Sequence, residues 1–171
     1  MNRAILFDRD GTLIEDHPPN NDVASVTVMP KAPGAVALAR EWNCRVGVVS
    51  NQPALAMDGF DITGFRAVNS LIQRRVGVVD AWFICPHAES DNCACRKPRP
   101  GLVLSAIRRF DSAPDHVAVI GDIAADVEAA ARAGALGILV PNERTLTAEI
   151  HNAPLVASDL VSAVRRALDV I

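Results

Sequence analysis

Five short apolar runs, each cut off by polar residues, constrain this 171-residue chain more than any other feature. They are Ala4–Phe7, Arg45–Val49, Ala81–Ile84, Val117–Ile120 and Leu136–Val140. Runs this short, without polar alternation, read as buried strands. Between and after them lie segments with helical spacing: Pro33 to Trp42, Asp61 to Arg75, a stretch from Pro100, Asp126 to Ala133, and Ser158 to Val170. Pro33 and Pro100 stand where a helix's first turn tolerates proline. Strands alternating with helices predict an α/β fold, a Rossmann-like parallel sheet flanked by helices and joined by right-handed crossovers. Leu13 to Met29 reads as a loop with a short strand at Val26–Met29.

The length suits a single domain, residues 1–171, with apolar residues enough for one core. No run of eighteen apolar residues is present, and the first apolar run leads straight into Asp8 without a cleavage pattern. A soluble, cytoplasmic protein without membrane contact is expected. The net charge of −3 argues against nucleic acid as a partner, because domains that bind it carry a clustered basic surface. Oligomeric state is left open, with a monomer as the default.

Polar residues gather where the first, second and fourth runs stop, the end at which open parallel sheets bind ligands. The first run stops at Asp8-Arg9-Asp10-Gly11-Thr12. Two alternate carboxylates there can divide labour, Asp8 as a nucleophile near a metal and Asp10 as a proton carrier. Gly11 lets the backbone turn its N–H groups toward an anion. Calcium loops and plain turns use the same letters. The second run stops at Ser50-Asn51, whose hydroxyl and backbone N–H could donate to phosphoryl oxygens or simply form a turn. The fourth stops at Gly121-Asp122, with Asp126 four residues on, either complementing a helix dipole or orienting a neighbouring cation.

A second constellation, Cys85, His87, Cys93 and Cys95, puts three thiols and one imidazole within eleven residues. That is the donor set of a closed, tetrahedral structural Zn²⁺ site, and a disulfide fits poorly with a cytoplasmic chain. Arg96 and Lys97 follow directly, so the metal would stiffen the loop that presents them. Arg96 could reach substrate phosphate through a bidentate contact, or pack on the loop. Cys44 reads as a small core residue.

Taken in order, Asp8-Arg9-Asp10-Gly11-Thr12, Ser50-Asn51, Lys97 before Pro98, and Gly121-Asp122 with Asp126 resemble the haloacid dehalogenase superfamily of phosphohydrolases over nearly the whole chain. The resemblance implies a sheet in the order 5-4-1-2-3, a Mg²⁺ cofactor and an aspartyl-phosphate on Asp8. It implies Mg²⁺ ligands from the Asp8 and Asp122 carboxylates and the Asp10 carbonyl, with Lys97 offsetting charge. Neither the segment after Asp10 nor the zinc-binding loop has room for a cap domain, so the fold should be capless. Cys-Pro-His with Cys-Arg-Lys-Pro resembles two groups within the superfamily, acting on small phosphorylated metabolites. One removes the 7-phosphate of D-glycero-D-manno-heptose 1,7-bisphosphate; the other acts on histidinol phosphate. Arg99-Pro100-Gly101 favours the first, with Arg96 and Arg99 able to meet a second phosphate. The absence of arginine between Pro53 and Gly59 weighs against it. A non-catalytic module binding zinc and phosphate is the alternative of a different class. The joint presence of nucleophile, acid/base and metal-ligand candidates disfavours that reading.

Overall fold

The computed structural model describes residues 2–171. Its strands are β1 (Ala4–Phe7), β2 (Arg45–Asn51), β3 (Ala81–Cys85), β4 (Val117–Gly121) and β5 (Leu136–Leu139). They form one parallel sheet in the order β3-β2-β1-β4-β5, the expected order read from the other edge. The helices are α1 (Ala32–Glu41), α2 (Ile62–Val76), α3 (Gly101–Phe110), α4 (Ala124–Arg132), α5 (Thr147–Asn152) and α6 (Leu160–Leu168).

Side chains alternate across the sheet, and that alternation divides the core in two. Ile5, Phe7, Val46, Val48, Ala118 and Ile120 face α1, α2 and α6. Ala4, Leu6, Val49, Val117 and Val119 pack with Leu102, Val103, Ala106 and Phe110 of α3 and with Ala129 and Ala130 of α4. With both faces covered, the central strands carry no polar alternation, as the sequence showed. Asp61 caps α2 by accepting from the Gly64 N–H, and Asp159 caps α6 through Ser162.

Two expectations change, and one element is new. The strand expected at Val26–Met29 reduces to one antiparallel bridge, Ile14 to Val28, because its partners lie in the tight turn after Gly11 and cannot support a ladder. Helix α4 begins two residues before Asp126, whose carboxylate accepts from the Ile123 N–H and so sits inside the first turn. Helix α5 was not legible at all: none of its residues is buried, so it lacks an apolar stripe. It is held by Glu149, which accepts from Leu146 N–H at its own start and from Ala124 N–H at the start of α4. The segments after β1 and β3 hold only turns, bridges and a short 3-10 piece at Glu89–Asp91, with no inserted module among the described residues.

Candidate active site

The carboxyl ends of β1, β2 and β4 converge on Lys97. Its ammonium, almost wholly buried, donates to Asp8 Oδ1 at 2.5 Å, Asp126 Oδ1 at 2.5 Å and the Val49 carbonyl at 2.8 Å. Lys97 belongs to the loop after β3, and Asn51 at the end of β2 fixes it over the site. The Asn51 side-chain amide donates to the Lys97 carbonyl and accepts from the Lys97 N–H, both at 3.0 Å. Asp8 extends the β1–β4 pairing by one residue, its N–H donating to the Ile120 carbonyl. The two readings of Asp126 turn out to be one arrangement, since it caps α4 and also holds the lysine.

Two glycines make room for the carboxylates. A Cβ on Gly11, at φ +85°, would fall 2.3 Å from Asp122 Oδ2. On Gly121 it would fall 2.2 Å from the Asp126 carboxyl. Any side chain at either position would displace an acid. Asp122 is further set by Thr12 Oγ1 at 3.3 Å and Asn142 Nδ2 at 2.8 Å, while Thr145 holds its carbonyl.

Burial pushes the Asp8 carboxyl well above its usual range, with Lys97 pulling it down and Asp126 and Asp122 adding to the rise. Burial and Asp126 push Asp122 up to about 6, against hydrogen bonds from Asn142 and Thr12. Burial works against the Lys97 ammonium, but Asp126 and Asp8 outweigh it and raise its pKa. Among the described residues, the carboxylates of Asp8, Asp10, Asp122 and Asp126 thus face two close cations, Lys97 and Arg9. One divalent cation would balance that excess. Oxygens of Asp8, Asp122 and Asp126 lie within 4.8 Å of one another, an all-oxygen set that suits a hard ion such as Mg²⁺. Asp126 uses both oxygens, Oδ1 on Lys97 and Oδ2 on the Ile123 N–H, whereas Asp8 gives Lys97 only Oδ1, so Asp8 and Asp122 are the carboxylates left to hold it.

Above this floor opens a cavity of about 350 Å³, lined by Asp8, Asp10, Ser50, Asn51, Lys97 and Asp122. Its outer wall is Asp16, Pro18, Pro19, Pro53, Ala54 and Ile123. Arg96 stands apart from it. The Arg96 guanidinium donates to the His87 carbonyl and lines a separate hollow with Arg99 and Arg132. Arg99 is likewise spent on the Cys93 carbonyl and Asn92, so both arginines brace their own loop. Arg96, expected to reach substrate phosphate or to pack on the loop, here packs on the loop, outside the lining of the cavity. Sequence reasoning missed Arg9, Asn20, Gln52 and Asn142. Gln52 adjoins the Ser50-Asn51 motif, a signal that was available; Arg9 lies inside a motif with nothing to mark it as buried, and Asn20 and Asn142 come from loops without a signal.

Cys85, His87, Cys93 and Cys95 come together as a second cluster. Cys95 Sγ lies 3.1 Å from Cys85 Sγ, 3.5 Å from Cys93 Sγ and 3.3 Å from His87 Nδ1. Tetrahedral Zn²⁺ with Zn–S bonds of about 2.3 Å would set sulfurs roughly 3.7 Å apart, so the donors are near their liganding positions. Burial and the neighbouring thiols push Cys95 up to about 12; Cys93, against its own desolvation, is brought down to about 6 by the Arg96 N–H and those thiols. Cys44 is a buried core thiol, as expected.

A parallel sheet carrying this acid-rich phosphohydrolase constellation at its carboxyl end has clear relatives. The HAD-hydrolase-like family model matches residues 94–166. The D-glycero-beta-D-manno-heptose-1,7-bisphosphate 7-phosphatase of Bordetella bronchiseptica is 35% identical over 147 residues, covering 81% of this chain and 80% of that protein. The chain belongs to the haloacid dehalogenase-like family of phosphohydrolases. Within that family, the crystal structure of the D,D-heptose 1,7-bisphosphate phosphatase of B. bronchiseptica, complexed with magnesium and phosphate, superimposes with a TM-score of 0.84. It is 31% identical, and the match covers 98% of both chains. The histidine biosynthesis bifunctional protein HisB of Actinobacillus pleuropneumoniae is 36% identical over 141 residues, covering 78% of this chain and 39% of that protein.

Proposed function

We propose that the chain is a Mg²⁺-dependent phosphatase that removes the 7-phosphate of D-glycero-D-manno-heptose 1,7-bisphosphate through an aspartyl-phosphate on Asp8. The observation that carries this reading is the Lys97 ammonium held between Asp8 and Asp126 on the floor of a cavity that Asp10 and Asp122 also line.

Asp8 attacks phosphorus, forming an O–P bond as the bond to the leaving oxygen breaks. Asp10 gives that oxygen its proton, so that it departs as an alcohol. Asp10 then takes a proton from water as the water oxygen attacks the phosphoaspartate. The O–P bond to Asp8 breaks, inorganic phosphate leaves and the carboxylate is restored. Lys97 lets a carboxylate approach an anion, while Ser50 and the Asn51 N–H donate to the phosphoryl oxygens. Asp8, Asp122 and the Asp10 carbonyl would hold Mg²⁺, which when bound polarises the phosphoryl group and offsets its charge. Asp126 orients Lys97.

The Cys85–His87–Cys93–Cys95 cluster would hold structural Zn²⁺, all four positions being protein donors. Free thiols poised for a metal fit a reducing compartment, and we assign the chain to the cytoplasm as one domain and a monomer. Among the described residues no helix is long and apolar enough to cross a membrane.

Histidinol phosphate is the second reading. Among the described residues, the cavity's outer wall carries Asp16, already paired with Arg144, and apolar residues, with no cation of its own to meet a second phosphate, which favours a monophosphate. Measuring kcat/KM for both compounds and for a simple sugar monophosphate separates the two. The heptose bisphosphate should lead; histidinol phosphate ahead by tenfold, about 1.4 kcal/mol in the barrier, would replace the substrate and leave the mechanism intact.

A further inference from the structure

The largest fully buried side chain in the protein is charged: Arg9, with no exposed surface, lies directly behind Asp10. Its guanidinium forks onto that carboxylate, Nε to Oδ2 at 2.9 Å and Nη2 to Oδ1 at 3.0 Å. The remaining donors fix it from behind and beside. Nη1 donates to Asn69 Oδ1 of α2 at 3.0 Å and Nη2 to Gln52 Oε1 at 3.1 Å, while the plane rests 4.8 Å from the Phe65 ring centre. Burying a guanidinium is costly unless its partners are this complete.

Asp10 receives two further donors, both neutral amides: Asn20 Nδ2 on Oδ1 and Gln52 Nε2 on Oδ2, each at 2.5 Å. Gln52 Nε2 also donates to Ser50 Oγ at 2.8 Å. Four donors fill the roughly four lone-pair sites that a carboxylate offers. For Asp10 to pass a proton, one must yield, and magnitudes decide which. A neutral hydrogen bond is worth about 0.5–1.5 kcal/mol net. Breaking a buried charge pair costs about 3–5 kcal/mol. Asn20 and Gln52 line the cavity, whereas Asn69 and Phe65 do not. The neutral contacts are therefore the ones that yield, whereas Arg9, which also reaches the cavity lining, has no exposed surface and is fixed from the far side by Asn69 and Phe65.

We propose that Arg9 is a positioning residue that aims the Asp10 carboxyl at the leaving oxygen, with Asn20 and Gln52 as the contacts that substrate displaces. The inference rests on Asp10 being the acid/base of the proposed function. Asn69 and Phe65, which touch Arg9 and not the cavity, anchor the clamp to α2, so the aim of the acid depends on how α2 packs.

The test exploits leaving groups. An alcohol leaves from the heptose bisphosphate only if protonated, whereas the phenolate of p-nitrophenyl phosphate leaves without a proton. The ratio of the two kcat/KM values, taken on one preparation, cancels any loss of folded enzyme and excludes the later hydrolysis of the phosphoenzyme. Arg9→Lys keeps a charge and loses the fork. It should lower kcat/KM for the heptose bisphosphate by about 10²-fold, the low end of what general acids contribute, and for p-nitrophenyl phosphate by less than about threefold. Asn69→Ala, distant from substrate, should shift the ratio the same way to a smaller extent. Equal losses on both substrates, or an unchanged ratio in both variants, would overturn the inference. Asp10→Asn tests the underlying reading: if it spares the ratio, Asp10 is not the acid, whatever Arg9 does.

Discussion

Asp8 and Asp10 are two residues apart, yet the structure gives them different supports, and replacing either therefore has different consequences. Asp8 shares Lys97 with Asp126, so Asp8→Asn leaves the lysine one carboxylate. Asp10→Asn leaves the buried Arg9 without a charged partner. Although both changes conserve size, we expect Asp10→Asn to cost about 3 kcal/mol of stability, the low end for an unpaired buried charge. For a chain of this length that is roughly 6–12 °C in Tm. A calorimetric Tm equal to wild type would show that the Arg9 pair is not held as the structure has it. The sequence made the acids legible because they terminate strands. It hid Arg9, since nothing local distinguishes a buried arginine between two aspartates from a solvated one. A second expectation concerns Asp122, whose folded pKa of about 6 exceeds its ordinary 3.8. Between those values the folded, metal-free protein binds more protons than the unfolded chain, so this residue's contribution to stability falls as pH rises through the window. Mg²⁺ competes with those protons for Asp8 and Asp122. Its stabilising effect in thermal melts should therefore be larger near about pH 7.5 than near about pH 5, and the reverse order would contradict the assignment of these acids as its ligands.

At the scale of elements, the loop from Cys85 to Pro100 joins β3 to the active site. Lys97 is two residues beyond Cys95, and Arg132 of α4 holds the Pro98 carbonyl from the other side. The cysteine and histidine spacing made the cluster legible because ligand chemistry is local. The same spacing did not say where the Arg96 and Arg99 guanidinium groups lie; they donate to the His87 and Cys93 carbonyls, which have no strand partners. Cys93→Ser removes one of four donors and should lower zinc content. Since Asn51 holds Lys97 independently of the cluster, activity should fall by about tenfold and not vanish, with Mg²⁺ dependence retained. Wild-type protein purified without chelators and lacking zinc would refute the structural-metal reading. Short α5 remained invisible for the opposite reason: its stability is polar and tertiary, through Glu149, with no buried face to leave a period in the sequence.

At the scale of the whole molecule, the parallel sheet brings together residues that lie far apart in the chain, Asp8, Ser50 and Asp122, because β2 and β4 flank β1. Alternation of apolar runs with helical periods made that architecture legible. The strand order came from motif resemblance and not from periodicity, which cannot say which strands are neighbours. The outer wall of the cavity is built from Asp16, Pro18, Pro19, Pro53 and Ala54, in the two loops after β1 and β2, whose path depends on packing that periodicity does not record. The central claim is that this constellation transfers a phosphoryl group to Asp8. Rapid acid quench of the enzyme turning over the heptose bisphosphate with Mg²⁺, followed by peptide mass spectrometry, tests it most directly. One added phosphoryl group is expected on the peptide carrying Asp8 in wild type, with no adduct and at least about 10³-fold less turnover in Asp8→Asn. Near-normal phosphate release by Asp8→Asn, or a phosphoryl group trapped on another residue, would contradict it.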